Sequence, residues 1–229
     1  MSETDSFIDE VTEEVRRDRL FAMFRKYGWI GGLVVALIVG GTAFNEWQKA
    51  RAQVASEAFG DAVLAALASD DATARVSGLK AISTDAGTGR SAVLGFLTAA
   101  EAEAAGDKES AVAALQAVAA DASLPDLYRQ LAQLKLITVA GDAMDPAERD
   151  STLQLLATPG APFRALAIEQ QALVLLDAGK TDEAAAMLTA LTEDADATPA
   201  LVSRVGQILM VLGKPVPEAT PQAVQPQGD

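Results

Sequence analysis

The chain has 229 residues, with 32 acidic against 18 basic side chains, no Cys and no His, and a net charge of −14. Without Cys there is no disulfide, thiolate nucleophile or Cys-based zinc site, and without His there is no Ser-His-Asp triad or His-bearing metal site. The acidic balance excludes a nucleic-acid binder, which needs a basic face for phosphate. Composition therefore points away from an enzyme and towards binding or scaffolding.

In chain order, the first element is an amphipathic helix before residue 26. Phe7, Ile8, Val11 and Val15 fall at helical spacing among acids and arginines, followed by Phe21, Met23 and Phe24. The second is an apolar run. Tyr27 to Asn45 is nineteen residues without a charge. As a helix it spans roughly 28 Å, close to the hydrocarbon thickness of about 30 Å. Tyr27 and Trp29 at one end and Trp47 at the other sit where an aromatic belt would lie. A buried core helix is the alternative, but it would need a domain around it at this end of the chain.

Arg16, Arg17, Arg19, Arg25 and Lys26 precede the span, and only Lys49 and Arg51 closely follow it. Lys and Arg set topology far more than acids do, so the N-terminus is expected in the cytoplasm and the remainder across the membrane. A cleaved signal peptide is the rival, with Gly41-Thr42-Ala43 as a small-x-small site. The 26-residue, largely acidic leader and the length of the apolar run favour an uncleaved anchor. Gly28, Gly32, Ala36 and Gly40 recur every four residues, a ridge that would let another helix approach closely.

Residues 46–213 are rich in Ala, Leu, Val, Glu and Gln, strong helix formers with few β-branched runs. Turn residues divide them into helices expected at 46–69, 72–84, 90–105, 108–121, 125–140, 146–158, 161–178, 181–194 and 199–212. The first should continue out of the membrane helix with little break. Asp70, Gly106, Gly141 and Gly179 are separated by 36, 35 and 38 residues. AAGDKESAVAAL (104–115) and DAGKTDEAAAML (177–188) nearly superimpose, each placing an Ala five residues and a Leu nine residues after the Gly. A period of about 34 residues with helix–turn–helix units is the tetratricopeptide arrangement. No Trp occupies its usual early position, and Pro125 and Pro199 fall a few residues late. The expected fold is all-α: one transmembrane helix, then an α-solenoid of about four helix pairs with 199–212 as a capping helix. The domains read as 1–26, 27–47, 48–213 and a Pro-rich tail at 214–229 that cannot repay its ordering entropy.

Catalytic motifs fail on inspection. Ser77-Gly78-Leu79-Lys80 fits S-x-x-K, but no Ser-Asp-Asn exists and Lys180-Thr181-Asp182 is not Lys-Thr-Gly. Asp194-Ala195-Asp196 opens like a calcium loop without its glycine or its bidentate Glu. Gly179-Lys180-Thr181 lacks the upstream glycine of a phosphate loop. Asp145, Glu148 and Asp150 read as an acidic helix start rather than a cation site. No catalytic residue, metal site, cofactor or small-molecule substrate is expected.

The order of parts resembles the YfgM-like ancillary subunits of the bacterial Sec translocon, single-span proteins with a periplasmic tetratricopeptide-like domain. The residues that carry the resemblance best are ARAQVASEAFGDAVLAAL (50–67) and TPALV (198–202). It implies an inner-membrane protein with its repeat domain in the periplasm. The implied partners are translocon subunits, a parvulin-like periplasmic chaperone and newly secreted chains. The other function class left open is an accessory subunit of a different envelope complex, respiratory or cell-division, held mainly by its span.

Overall fold

The computed structural model describes residues 3–84 and 89–216, with side chains described for 25, 26, 29–34, 36–84 and 89–216. The first amphipathic segment's side chains, Arg16, Arg17, Arg19, Tyr27, Gly28 and the tail from residue 217 lie outside those described. Among the described residues there are nine α-helices, one 3-10 turn and no strand. The chain divides into two units, Met1–Ala62 and Val63–Asp229.

The first unit is part of one unbroken helix, α1 (Glu3–Leu67). The apolar run therefore leads into the expected 46–69 helix without a break. The stretch Trp29–Leu67 is long and apolar enough to cross a membrane, and none of its most apolar window is buried.

The second unit begins with the end of α1 and continues through α2 (Ala72–Lys80), α3 (Gly89–Ala104), α4 (Lys108–Ala120) and α5 (Asp126–Ala140). A 3-10 turn (Gly141–Ala143) leads to α6 (Pro146–Leu156), α7 (Arg164–Asp177), α8 (Thr181–Thr192) and α9 (Pro199–Val211). Side-chain caps fix four of the starts. Asp71 accepts from Thr73 and Ala74 N–H, Asp107 from Ser110 N–H, Asp145 from Ala147 and Glu148 N–H, and Thr198 from Leu201 N–H. Pro146 and Pro199 occupy first-turn positions where no N–H is needed.

Three helices stop in one way. Gly106, Gly179 and Gly213 have φ of 74°, 74° and 68°. The next residue's N–H reaches back over a full turn at 2.8–2.9 Å: Asp107 to Ala102 O, Lys180 to Leu175 O, Lys214 to Leu209 O. That is the Schellman closure, which glycine enters without a Cβ penalty. It ends α3, α7 and α9.

Each helix packs on its neighbours in the chain, most extensively α3 on α4, α4 on α5 and α7 on α8, with α2 on α3, α8 on α9, α6 on α7 and α5 on α6 completing the stack. The end of α1 meets α2 where Gly78 lies against Ala66. The core is a chain of overlapping clusters. One centres on Val76, Ala102, Leu115 and Leu136, the next on Ile137, Leu153, Leu156 and Ala167, and the last on Ala172, Leu188, Val205 and Leu209. Ala111 and Ala184 are fully buried, as are Leu115 and Leu188 to within 1%. The small residue allows close helix approach and the leucine fills the layer between pairs.

Two boundaries differ from the sequence expectation by three residues or more, the others by two at most. Helix α2 ends at Lys80 rather than 84, because Gly78 weakens its last turn and Ile82-Ser83-Thr84 are poor helix formers. Helix α7 starts at Arg164 rather than 161, because Pro162 bars Ala161 from the helical region.

Candidate functional site

In the first unit, Trp29 and Trp47 are both exposed. The Trp47 ring lies 5.9 Å from that of Phe44, and the Arg51 guanidinium carbon sits 4.2 Å from its centroid. An arginine one turn after a tryptophan covers the ring by cation–π attraction and keeps its charge at the polar end of the apolar run. The sequence reading took Arg51 only as a topology charge, although the Trp-x-x-x-Arg spacing was visible. Arg25 and Lys26 are exposed. Among the described residues, a Cβ built at Gly32 or Gly40 would meet nothing within 4 Å, and Ala36 is exposed.

The motifs that imitate catalytic sites are engaged structurally. The Ser77 hydroxyl donates to Thr73 O at 3.0 Å and Lys80 Nζ to Ser110 Oγ at 2.9 Å, so each is bonded elsewhere. Asp194 and Asp196 accept from Arg164 at 2.7 and 3.2 Å instead of holding calcium. The backbone N–H of Asp196 and the Arg164 guanidinium hold the Asp194 carboxyl below its ordinary range. Lys180 Nζ lies 3.4 Å from Glu183. Among the described residues, no group of acids is arranged to hold a metal ion.

Instead the second unit offers ties between helices and one long groove. Glu169, only 3% exposed, accepts two hydrogen bonds of 2.6 Å from Arg204 across α7 and α9. This fork raises the Arg204 pKa above its ordinary value. Arg75 binds Glu101 at 2.5 Å, and Lys214 binds Asp182 at 2.6 Å, which lowers the Asp182 pKa.

The groove holds about 500 Å³ and is lined by α2, α3 and α4. Its α3 side carries Ser91, Leu94, Gly95 and Thr98, and its α4 side Ser110, Ala114, Ala117 and Asp121, each series on one helical face. Gly95 sets the floor: a Cβ there would lie 2.3 Å from Val118 Cγ2. Thr98, 5% exposed, belongs to the same lining. Sequence reading missed this site. Aligning the two units on Gly106 and Gly179 would have shown Ala114 where the later unit has Met187. A smaller opening of about 380 Å³ lies beside Phe163, Arg164 and Thr198.

Residues 24–213 match the family model described as a tetratricopeptide repeat-like domain. Searches of curated proteins and of solved structures return no match.

Proposed function

Because the chain belongs to the tetratricopeptide repeat-like family, whose arrays are protein-interaction modules, we propose that it is a membrane-tethered protein-interaction scaffold. One observation carries the reading. A stacked array of helix pairs shares its chain with an N-terminal helix long and apolar enough to span a membrane, of which the most apolar part is unburied. Tethering raises the effective concentration of the repeat surface at one place on the membrane and requires no catalysis.

In this reading α1 is retained as a single-pass anchor at about residues 27–47. Tyr27, Trp29 and Trp47 lie at the interfaces, and Arg16, Arg17, Arg19, Arg25 and Lys26 hold the N-terminus in the cytoplasm. The array then works in the periplasm as an ancillary part of the Sec translocon, receiving secreted chains and a parvulin-like chaperone. The resemblance of 50–67 and 198–202 supports that assignment. A second reading rests on the ridge of Gly28, Gly32, Ala36 and Gly40: a subunit held in another envelope complex by its span.

Affinity purification in mild detergent separates the two. The full chain is compared with a version that keeps residues 1–62 and lacks the array. The scaffold reading expects translocon subunits and a periplasmic chaperone with the full chain and their loss from the short one. Retention of the same partners by residues 1–62 contradicts it and favours the span-held subunit.

A further inference from the structure

Gly213 follows Gly179 by 34 residues and closes α9 as Gly106 and Gly179 close α3 and α7. After the two earlier turns comes a second helix, α4 or α8, which packs back on the one before it. A small residue receives that helix. Ala99 and Ala172, each seven residues before the glycine, are buried in clusters with Leu115 of α4 and Leu188 of α8. The matching position on α9 is Gly206. No second helix starts directly after Gly213. Lys214 precedes Pro215 and Val216 precedes Pro217, and a residue before proline is pushed out of the helical region. Gly206 is buried all the same, because Val216 covers it: a Cβ built on Gly206 would lie 3.3 Å from Val216 Cγ1. Two bonds of Lys214 turn the segment into that place. Its backbone N–H donates to Leu209 O at 2.9 Å, and its Nζ meets Asp182 at the start of α8 at 2.6 Å. Further along the same helix, Met210 and Val211 are 70% and 87% exposed.

We propose that Lys214-Pro215-Val216 is a terminal strap, which takes the place of a missing second helix and so keeps α9 of one copy from pairing with α9 of another. A helix is what the uncovered position would accept, since Ala99 and Ala172 accept one at the same place in their own pairs. With Val216 lifted away, Gly206, Met210 and Val211 fall on one side of α9 at helical spacing. The surface that matches this side on a second copy is the same side again, set against it by a two-fold axis. One valine and one ion pair block that contact, as prolines and charges guard the open edge of a sheet. The strap serves the array in this way whether α1 is an anchor or a signal sequence.

The chain has no Cys, so Met210→Cys places a single thiol beside the strap. Bismaleimide crosslinking of the full chain in mild detergent is compared with two altered forms, one ending at Gly213 and one carrying Val216→Asp. Leu127→Cys, at an exposed position on α5, replaces the residue 210 thiol in a control series. Burial of one valine is enough to shift a pairing equilibrium about tenfold. Both altered forms should therefore give about ten times more crosslinked dimer at residue 210, with no rise at residue 127 and helical circular dichroism retained. A chain ending at Val216, which keeps the strap, should match the full chain. Equal crosslinking at residue 210 with and without the strap overturns the proposal. An equal rise at residue 127 also overturns it, because the array would then be loosened generally.

Discussion

At the scale of single residues, the array is tied together by charges about one repeat apart. Arg204 and Glu169 are 35 residues apart, Lys214 and Asp182 are 32, and Arg164 and Asp194 are 30. The first two tie α9 and its closing turn to the α7/α8 pair, and the third ties the start of α7 to the turn after α8, so pairing reinforces the nearest-neighbour packing that stabilises a solenoid. The Glu169 carboxylate is the most exposed to loss, because its side chain is 4% accessible while that of Arg204 is 51%. Truncating the arginine leaves a buried carboxylate without its two hydrogen bonds. Arg204→Ala should therefore cost about 2 kcal/mol, with partial recovery in Arg204→Lys, measured by urea unfolding. A change below about 0.5 kcal/mol, the usual size for a surface substitution, would show that water replaces the fork at no cost.

At the scale of elements, close approach of helices depends on a few small side chains. A Cβ at Gly95 would collide with Val118, whose branched side chain is stiff within α4. Gly95→Ala should destabilise by about 1–3 kcal/mol through overpacking, and adding Val118→Ala should return part of the loss. Independent costs that simply add would contradict a direct contact, as a double-mutant cycle on melting curves would show.

Element boundaries were largely legible in the sequence, because Gly106, Gly179, Asp107 and Asp145 act through local backbone chemistry that any reader of turns can see. The early end of α2 was less legible: its capping Asp71 is plain, but the stop depends on the weak segment after Gly78. The Glu169–Arg204 fork and the groove were not legible at all. They depend on which faces of separate helices meet, and local periodicity does not contain that register. The superimposable windows at 104–115 and 177–188 exposed what the units share; the groove arises where they differ, at Ala114 and at the end of α2.

At the scale of the whole molecule, acid should loosen the array from several points at once. The carboxyl of Asp107 is held down by hydrogen bonds from Ser110, that of Asp182 by Lys214, and that of Asp194 by the Asp196 N–H and Arg164. A carboxyl held below its unfolded value, near about 3.9, stabilises above that pH and loses its contribution as pH falls through the folded value. The urea midpoint should thus be flat between about pH 7 and pH 5 and fall below about pH 4. A midpoint that rises in acid would mean that relief of repulsion among the acids, in a chain of net charge −14, outweighs these bonds.

The central claim is that one retained helix ties the repeat array to a membrane. Its most direct test is alkaline extraction of membranes from cells expressing the tagged chain, with the mass of the recovered protein measured. The account predicts that the full 23.7 kDa chain stays in the membrane pellet. A shortened chain in the supernatant, beginning just after Ala43, would contradict it and make the apolar helix a signal sequence.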